Sequence, residues 1–265
     1  MVFKVGDLLR ILDKEYSFFL QEDWDNTGFQ FGNYDDPVKG ILLSLDITID
    51  AIKFAIENKL NCIITHHPLF FEKIKFLDSK SDSYRKIELL IKNKINVISI
   101  HTPLDLHSNG VNKVLADKCF LQNERQVFVE YKNGLGYGIF ANIDLISCKD
   151  YIEKIKENFI QPIVFYGDIE KNIYKVAVLG GSGAFSINHA ISKNVDILIS
   201  SDFKYHDVQY ALENNINIID LGHYESEVIV LESLLEFLKS KNINLKISIY
   251  NNNIFKRKIY FKNIK

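Results

Sequence analysis

Short runs of four to six apolar residues, rich in Ile, Leu and Val, recur along this chain, and between them apolar residues fall at helical spacing. This alternation constrains the fold more than any other feature. It specifies an α/β architecture in which brief buried strands are separated by amphipathic helices. Strands are predicted at 41–45, 62–65, 97–100, 174–179, 197–200 and 216–221. Helices are predicted at 6–13, 50–58, 84–93, 111–118, 148–158, 185–192, 207–213 and 225–239. The last is the clearest, with Val228, Leu231, Leu234, Leu235 and Leu238 on one face. Segments 126–131 and 136–140 read as a hairpin, because Asn133-Gly134 suits the positive φ of a tight turn. A second hairpin is expected from 245–250 and 254–261, joined by Asn251-Asn252-Asn253.

The segments that feed the strands also repeat. Glu57-Asn-Lys-Leu-Asn-Cys-Ile-Ile-Thr-His-His67 resembles Ser192-Lys-Asn-Val-Asp-Ile-Leu-Ile-Ser-Ser-Asp202, and Ile91-Lys-Asn-Lys-Ile-Asn-Val-Ile-Ser-Ile-His101 resembles Leu212-Glu-Asn-Asn-Ile-Asn-Ile-Ile-Asp-Leu-Gly222. The same order in both halves is a weak internal duplication and points to two similar α/β lobes. A length of 265 residues suits two modest domains, and 47% hydrophobic residues exclude a disordered chain. The expected boundary lies at the hairpin: a first lobe over 1–125 and a second over 126–265, whose C-terminal strands could pack back on the first.

Lys and Arg number 32 against 34 Asp and Glu, so no basic surplus exists to drive general nucleic-acid binding. Three Cys without a CxxC give neither a disulfide framework nor a zinc ribbon, and Cys62, inside an apolar strand, reads as core. No signal peptide and no run of about 18 apolar residues is visible, so the expectation is a cytoplasmic protein without a membrane partner.

Ligands of α/β sheets gather beyond the carboxyl ends of strands. Five of the seven His occupy such places: His66, His67, His101, His206 and His223, leaving only His107 and His189 elsewhere. Adjacent strand residues point to opposite faces. At a strand exit that constraint relaxes, and Pro68 keeps His67 extended, so both imidazoles can lean over the sheet edge. His223 and Glu227 share a helical face if the helix begins near His223. Asp105 follows Pro103 on a loop past its strand. His66, His67, Asp105, His223 and Glu227 form a mixed nitrogen and oxygen donor set suited to Zn, Fe or Mn. Five donors are too many for one open catalytic ion and about right for two. The plainer reading makes each His a satisfied core or solvated loop residue. Their joint placement at strand exits favours the metal.

These segments carry a resemblance. Trp24-Asp-Asn-Thr-Gly-Phe-Gln30, Ser44-Leu-Asp-Ile-Thr48, Ile64-Thr-His-His-Pro-Leu69, His101-Thr-Pro-Leu-Asp105 with Gly110-Val-Asn112, Gly180-Gly-Ser-Gly183, Ser201-Asp-Phe-Lys-Tyr-His-Asp207 and Gly222-His-Tyr-Glu-Ser-Glu227 resemble, in order, the motifs of the GTP cyclohydrolase 1 type 2 homolog family, the Nif-three-like dinuclear-metal proteins. The resemblance spans about residues 4–260. It implies two similar α/β lobes with a dinuclear metal site between them, and a ring-shaped homohexamer. It assigns His66, His67, Asp105, His223 and Glu227 as ligands of two divalent ions. The chain has no room for the inserted domain of longer relatives. It departs from the family at Ser201, where Gly is frequent, and at Pro103, where Asn is common.

Around this set, His101 either orients a ligand or substrate or is simply buried, and Lys204 and His206 either serve an anionic substrate or proton relay or belong to a helix-capping turn led by Asp202. These three are the catalytic candidates. Gly180-Gly-Ser-Gly183 lacks the Lys-Ser/Thr of a P-loop and reads better as a tight turn than as a phosphate cradle. Trp24, the sole Trp, either stacks on a base or anchors its loop on the core. The resulting reading is a metal-dependent hydrolase that activates water against a small-molecule substrate, a nucleotide or phosphoester. The alternative is a non-catalytic metal-handling or regulatory scaffold. No Asn-Lys-x-Asp motif reads guanine.

Overall fold

A computed structural model describes residues 2–252; the 254–261 arm of the second expected hairpin lies outside the described residues. By internal packing the chain forms two units, one up to His107 together with Val230–Asn252, the other Ser108–Ile229. The 126–140 hairpin lies inside the second unit.

The first unit runs α1 (Val5–Tyr16), β1 (Gly28–Phe31), β2 (Gly40–Ser44), α2 (Ile49–Glu57), β3 (Cys62–Thr65), α3 (Asp82–Asn93), β4 (Asn96–Ser99) and α4 (Thr102–Leu106). The second runs α5 (Val111–Lys118), β5 (Gln126–Glu130), β6 (Gly136–Ser147), α6 (Cys148–Lys156), β7 (Val164–Tyr166), β8 (Asn172–Ser182), α7 (Ile187–Ser192), β9 (Ile197–Ser201), α8 (Tyr205–Glu213), β10 (Asn217–Asp220) and α9 (His223–Glu227). The chain then returns to the first unit with α10 (Val230–Ser240) and β11 (Lys246–Tyr250). No helix among the described residues is long and apolar enough to cross a membrane.

The first sheet has the order β1-β4-β3-β2-β11, with β1 antiparallel to β4 and the other pairs parallel. Every residue of β2, β3 and β4 is buried, as strands covered on both faces require. Leu42, Ile63 and Val97 pack with Ala51, Ile52 and Ala55 of α2 and Leu90 of α3. Thr48 caps α2 by accepting the Ala51 N–H at 3.0 Å. The second sheet has the order β5-β6-β8-β9-β10-β7, with β8, β9 and β10 parallel and the rest antiparallel. The expected hairpin is β5–β6. Asn133 and Gly134 both take positive φ, and Leu135 N–H closes the turn on Lys132 O at 2.9 Å. On the first face of this sheet Tyr151, Leu115 and Cys119 pack with Val176, Val178 and Ile199.

The weak sequence repeat is a repeat of topology. The order α1-β1-β2-α2-β3-α3-β4 recurs as α6-β7-β8-α7-β9-α8-β10, and the sheet orders β1-β4-β3-β2 and β7-β10-β9-β8 correspond strand for strand. Matched turn residues Lys59 and Asn194, and Lys94 and Asn215, all take left-handed conformations, with φ of 59°, 52°, 51° and 62°. Asn96 and Asn217 also match: each accepts, through Oδ1, the backbone N–H two residues past its edge strand (Asn33 at 2.7 Å, Asp168 at 3.1 Å).

Two expectations are corrected. The helix expected over 225–239 is two helices, α9 and α10, parted at Val228 and Ile229. Ile229 packs into the second unit's core, whereas α10 packs on β2 and β11 of the first, so one apolar face serves two cores. Edge strands β1 and β7, of four and three residues, were not expected; neither is long enough to show a strand period.

Candidate metal centre

The registers of the first sheet set Ser44 beside Thr65 and Thr65 beside Ser99. The residues that follow therefore leave three adjacent parallel strands at one edge: Asp46 after β2, His66 and His67 after β3, and His101 after β4. Gly28, the start of antiparallel β1, pairs with Ser99, so the preceding Trp24–Thr27 loop arrives at the same edge. His66 and His67, although adjacent, do share one site: their ring centroids are 4.9 Å apart, and each lies within 5.6 Å of the His101 ring. His66, His67 and His101 offer ligand atoms all within 4.8 Å of one another, a group that could hold a metal ion. Asp105, on α4, brings Oδ1 to 3.6 Å from His66 Nε2.

In the second unit, β9 ends at Ser201 and β10 at Asp220. His223 begins α9, so the four-residue spacing does place Glu227 over it, with His223 Nε2 and Glu227 Oε2 3.1 Å apart. Gly181, at φ 70°, is what gives the Glu227 carboxylate room: a Cβ there would lie 2.3 Å from Oε1. Ser226 fastens α9 to this bend, accepting the Gly181 N–H at 2.9 Å and donating to His223 O at 2.8 Å. The neighbouring Glu225 has a structural task, accepting the Ile160 N–H at 3.2 Å.

All four of these imidazoles are held by Nδ1. His66 Nδ1 faces Ile100 O at 3.0 Å, His67 Nδ1 faces Asp46 at 2.8 Å, His101 Nδ1 faces Asp25 at 2.9 Å and His223 Nδ1 faces Asp202 at 2.6 Å. An acceptor at Nδ1 places the proton there and makes Nε2 the lone-pair atom, the arrangement by which carboxylates and carbonyls orient metal-ligating histidines. The donor set is therefore chemically fit for a divalent ion of the Zn, Fe or Mn kind. Asp25 is the most enclosed of the orienting groups. Burial pushes its carboxyl up, but hydrogen bonds from His101, Thr102 and Thr27 outweigh this and hold it well below the usual carboxylate range.

Asp25, Asp46 and Asp202 were not assigned a histidine-orienting role from sequence, although each lies in a quoted motif. Asp202, expected to lead a helix-capping turn, instead takes φ 59° and turns its carboxylate to His223; the α8 cap is made by Asp207, which accepts the Lys204 N–H at 2.8 Å. Lys204 and His206 are exposed there, His206 Nδ1 lying 3.3 Å from Gln209 Oε1. Gly180, Gly181 and Ser182 end β8 and Gly183 follows it, with Gly181 serving as the clearance for Glu227. Cys62 is core as expected, its thiol pushed by burial to about 12. Trp24 does not anchor on the core: it is 62% exposed.

The Duf34/NIF3 family model (NGG1p interacting factor 3) matches residues 3–254. The chain is 35% identical, over 262 residues, to a GTP cyclohydrolase 1 type 2 homolog of Clostridium acetobutylicum, covering 96% of this chain and 98% of that protein. It is 34% identical, over 253 residues, to one of Campylobacter jejuni, covering 94% and 98%. Its fold is similar to that of a hypothetical protein of Staphylococcus aureus, with a TM-score of 0.87 at 28% identity over 98% of this chain and 100% of that one. Reduced HcgD from Methanocaldococcus jannaschii gives 0.81 at 29% identity over 94% and 98%.

Proposed function

We propose the following for this chain, which belongs to the Duf34/NIF3 family: it is a divalent-metal-dependent hydrolase of a nucleotide or phosphoester, with His66, His67, Asp105, His223 and Glu227 holding two ions. The observation that carries this reading is the shared mode of holding, in which four imidazoles are each fixed through Nδ1 and so present Nε2. Structural histidines have no need of three separate carboxylates for that purpose. Bound divalent ions supply Lewis-acid polarisation and lower the pKa of water. The chain's own part is orientation and proton traffic. Asp46 and Asp202 hold His67 and His223, and Asp25 holds His101 so that its Nε2 can pass a proton to or from the reacting group. The names of the relatives favour opening of the GTP purine ring with release of formate. A fold alone does not choose between that and phosphoester hydrolysis.

The test is elemental analysis of purified protein coupled to a screen for formate and phosphate release from nucleotides. Close to two divalent ions per chain are expected, with either product. Formate from GTP selects ring opening, and phosphate alone selects phosphoester hydrolysis. Metal without either product favours the non-catalytic scaffold. His67→Ala combined with Glu227→Ala should lose the metal while the apolar cores keep the fold. Full metal content in that variant would sink the ligand assignment.

A further inference from the structure

Two large aromatic rings stand at the rim of the first unit's histidine cluster, and the metal reading uses neither. Trp24, 62% exposed, meets the His101 ring edge-on at 5.6 Å. Phe71, 53% exposed, meets the same ring edge-on at 5.5 Å and lies 6.1 Å from His67. Both are held in place from beneath. Asp25 ties the Trp24 loop to His101 and Thr102, while Asn26 Nδ2 donates to Phe70 O at 2.8 Å and so ties that loop to the segment bearing Phe71. An indole that only anchored its loop would be buried. This one meets an imidazole at a steep angle and leaves most of its surface in water. Two flat apolar surfaces fixed in water beside a reactive cluster carry a hydration cost that a stacked planar ring would relieve.

We propose that Trp24 and Phe71 form a stacking platform that receives the nucleobase of a nucleotide substrate against the histidine cluster. This rests on the reading above that substrate is processed at this centre, and it names the part of the substrate that these residues recognise. Lys73 and Lys75, exposed two and four residues beyond Phe71, supply cations suited to the phosphates such a base carries.

Trp24 is the sole Trp, so indole emission reports this loop alone. The full chain, with its metal content measured, is titrated with GMP and AMP and, as controls, ribose 5-phosphate and tripolyphosphate. GMP and AMP should quench saturably, and the two controls should not. Phe71→Leu should raise the GMP Kd about tenfold by fluorescence, and Trp24→Leu should do so by calorimetry, both with wild-type circular dichroism. The platform is overturned if neither nucleotide quenches, if ribose 5-phosphate quenches equally, or if both variants bind GMP as wild type does. It is also overturned if emission shifts to the blue with protein concentration and quenching disappears, because the rings are then covered by a second copy. Metal-free protein that still quenches with GMP would keep the platform and sink the metal centre. Metal-replete protein without quenching would do the reverse.

Discussion

Replacing Asp25 with Asn should cost the first unit about 3 kcal/mol. The Asp25 side chain has no exposed surface, and its two oxygens accept from five donors. Oδ1 takes His101 Nδ1 at 2.9 Å and Asn26 N at 2.7 Å. Oδ2 takes Thr102 N at 3.1 Å, Thr102 Oγ1 at 2.6 Å and Thr27 Oγ1 at 2.9 Å. An amide that keeps its oxygen toward His101 turns an NH2 toward the other three. The hydroxyls can rotate, but the Thr102 N–H cannot, and stranding it costs about 1–3 kcal/mol. Exchanging a charged acceptor for a neutral one at His101 removes roughly another 1 kcal/mol. The measurement is urea unfolding in chelator, followed by emission of the adjacent Trp24 and by circular dichroism. The pH dependence gives a second check. The Asp25 carboxyl is depressed in the folded protein, so its stabilisation is complete above the unfolded value near pH 4. It drains away as pH falls below that towards the folded value. The gap between wild type and Asp25→Asn should therefore close on acidification below about pH 4. A cost under about 1 kcal/mol, or a gap that widens in acid, would refute this account of the loop.

The remaining predictions concern how the donors are held. Asp46→Asn and Asp202→Asn should each weaken divalent-ion binding about 10–100-fold in a calorimetric titration. Both carboxylates are partly exposed, so the urea midpoint in chelator should stay at the wild-type value; unchanged metal affinity would show that they do not orient His67 and His223. Gly181→Ala places a Cβ 2.3 Å from Glu227 Oε1 at φ 70°. It should cost about 1–2 kcal/mol in backbone strain and also lower metal content. Gly134→Ala, at φ 78° with nothing within 4 Å, should pay the strain and leave the metal untouched. Equal metal loss in the two variants would show that clearance for Glu227 is not the reason for glycine at 181.

His66, His67, Asp105, His223 and Glu227 stand out in the sequence because they lie just beyond runs of buried residues with an abrupt polar exit, a signal carried within about ten residues. What orients the histidines does not stand out in this way, because it depends on sheet register. Asp25 and His101 are 76 residues apart and meet only because β1 starts opposite Ser99. Asp46 meets His67 because Ser44 aligns with Thr65. The break between α9 and α10 escaped for a related reason: apolar spacing runs on through Val228, and spacing does not say which of two cores an apolar face will enter. The internal repeat shows the same limit most sharply. Matching the two halves puts Asp202 where His67 stands and Gly222 where His101 stands, which invites the inference that Asp202 is itself a donor. In the folded chain Asp202 turns its carboxylate to His223 Nδ1 instead, and the imidazole stands one residue beyond Gly222 in α9, where a single helical turn sets His223 over Glu227. The duplicated topology preserved the place where chemistry can occur, at the carboxyl ends of the third and fourth strands of each repeat. It did not preserve at which place a carboxylate stands and at which an imidazole. That division follows from where each backbone turns after the strand, at φ 59° for Asp202 and into a new helix at His223.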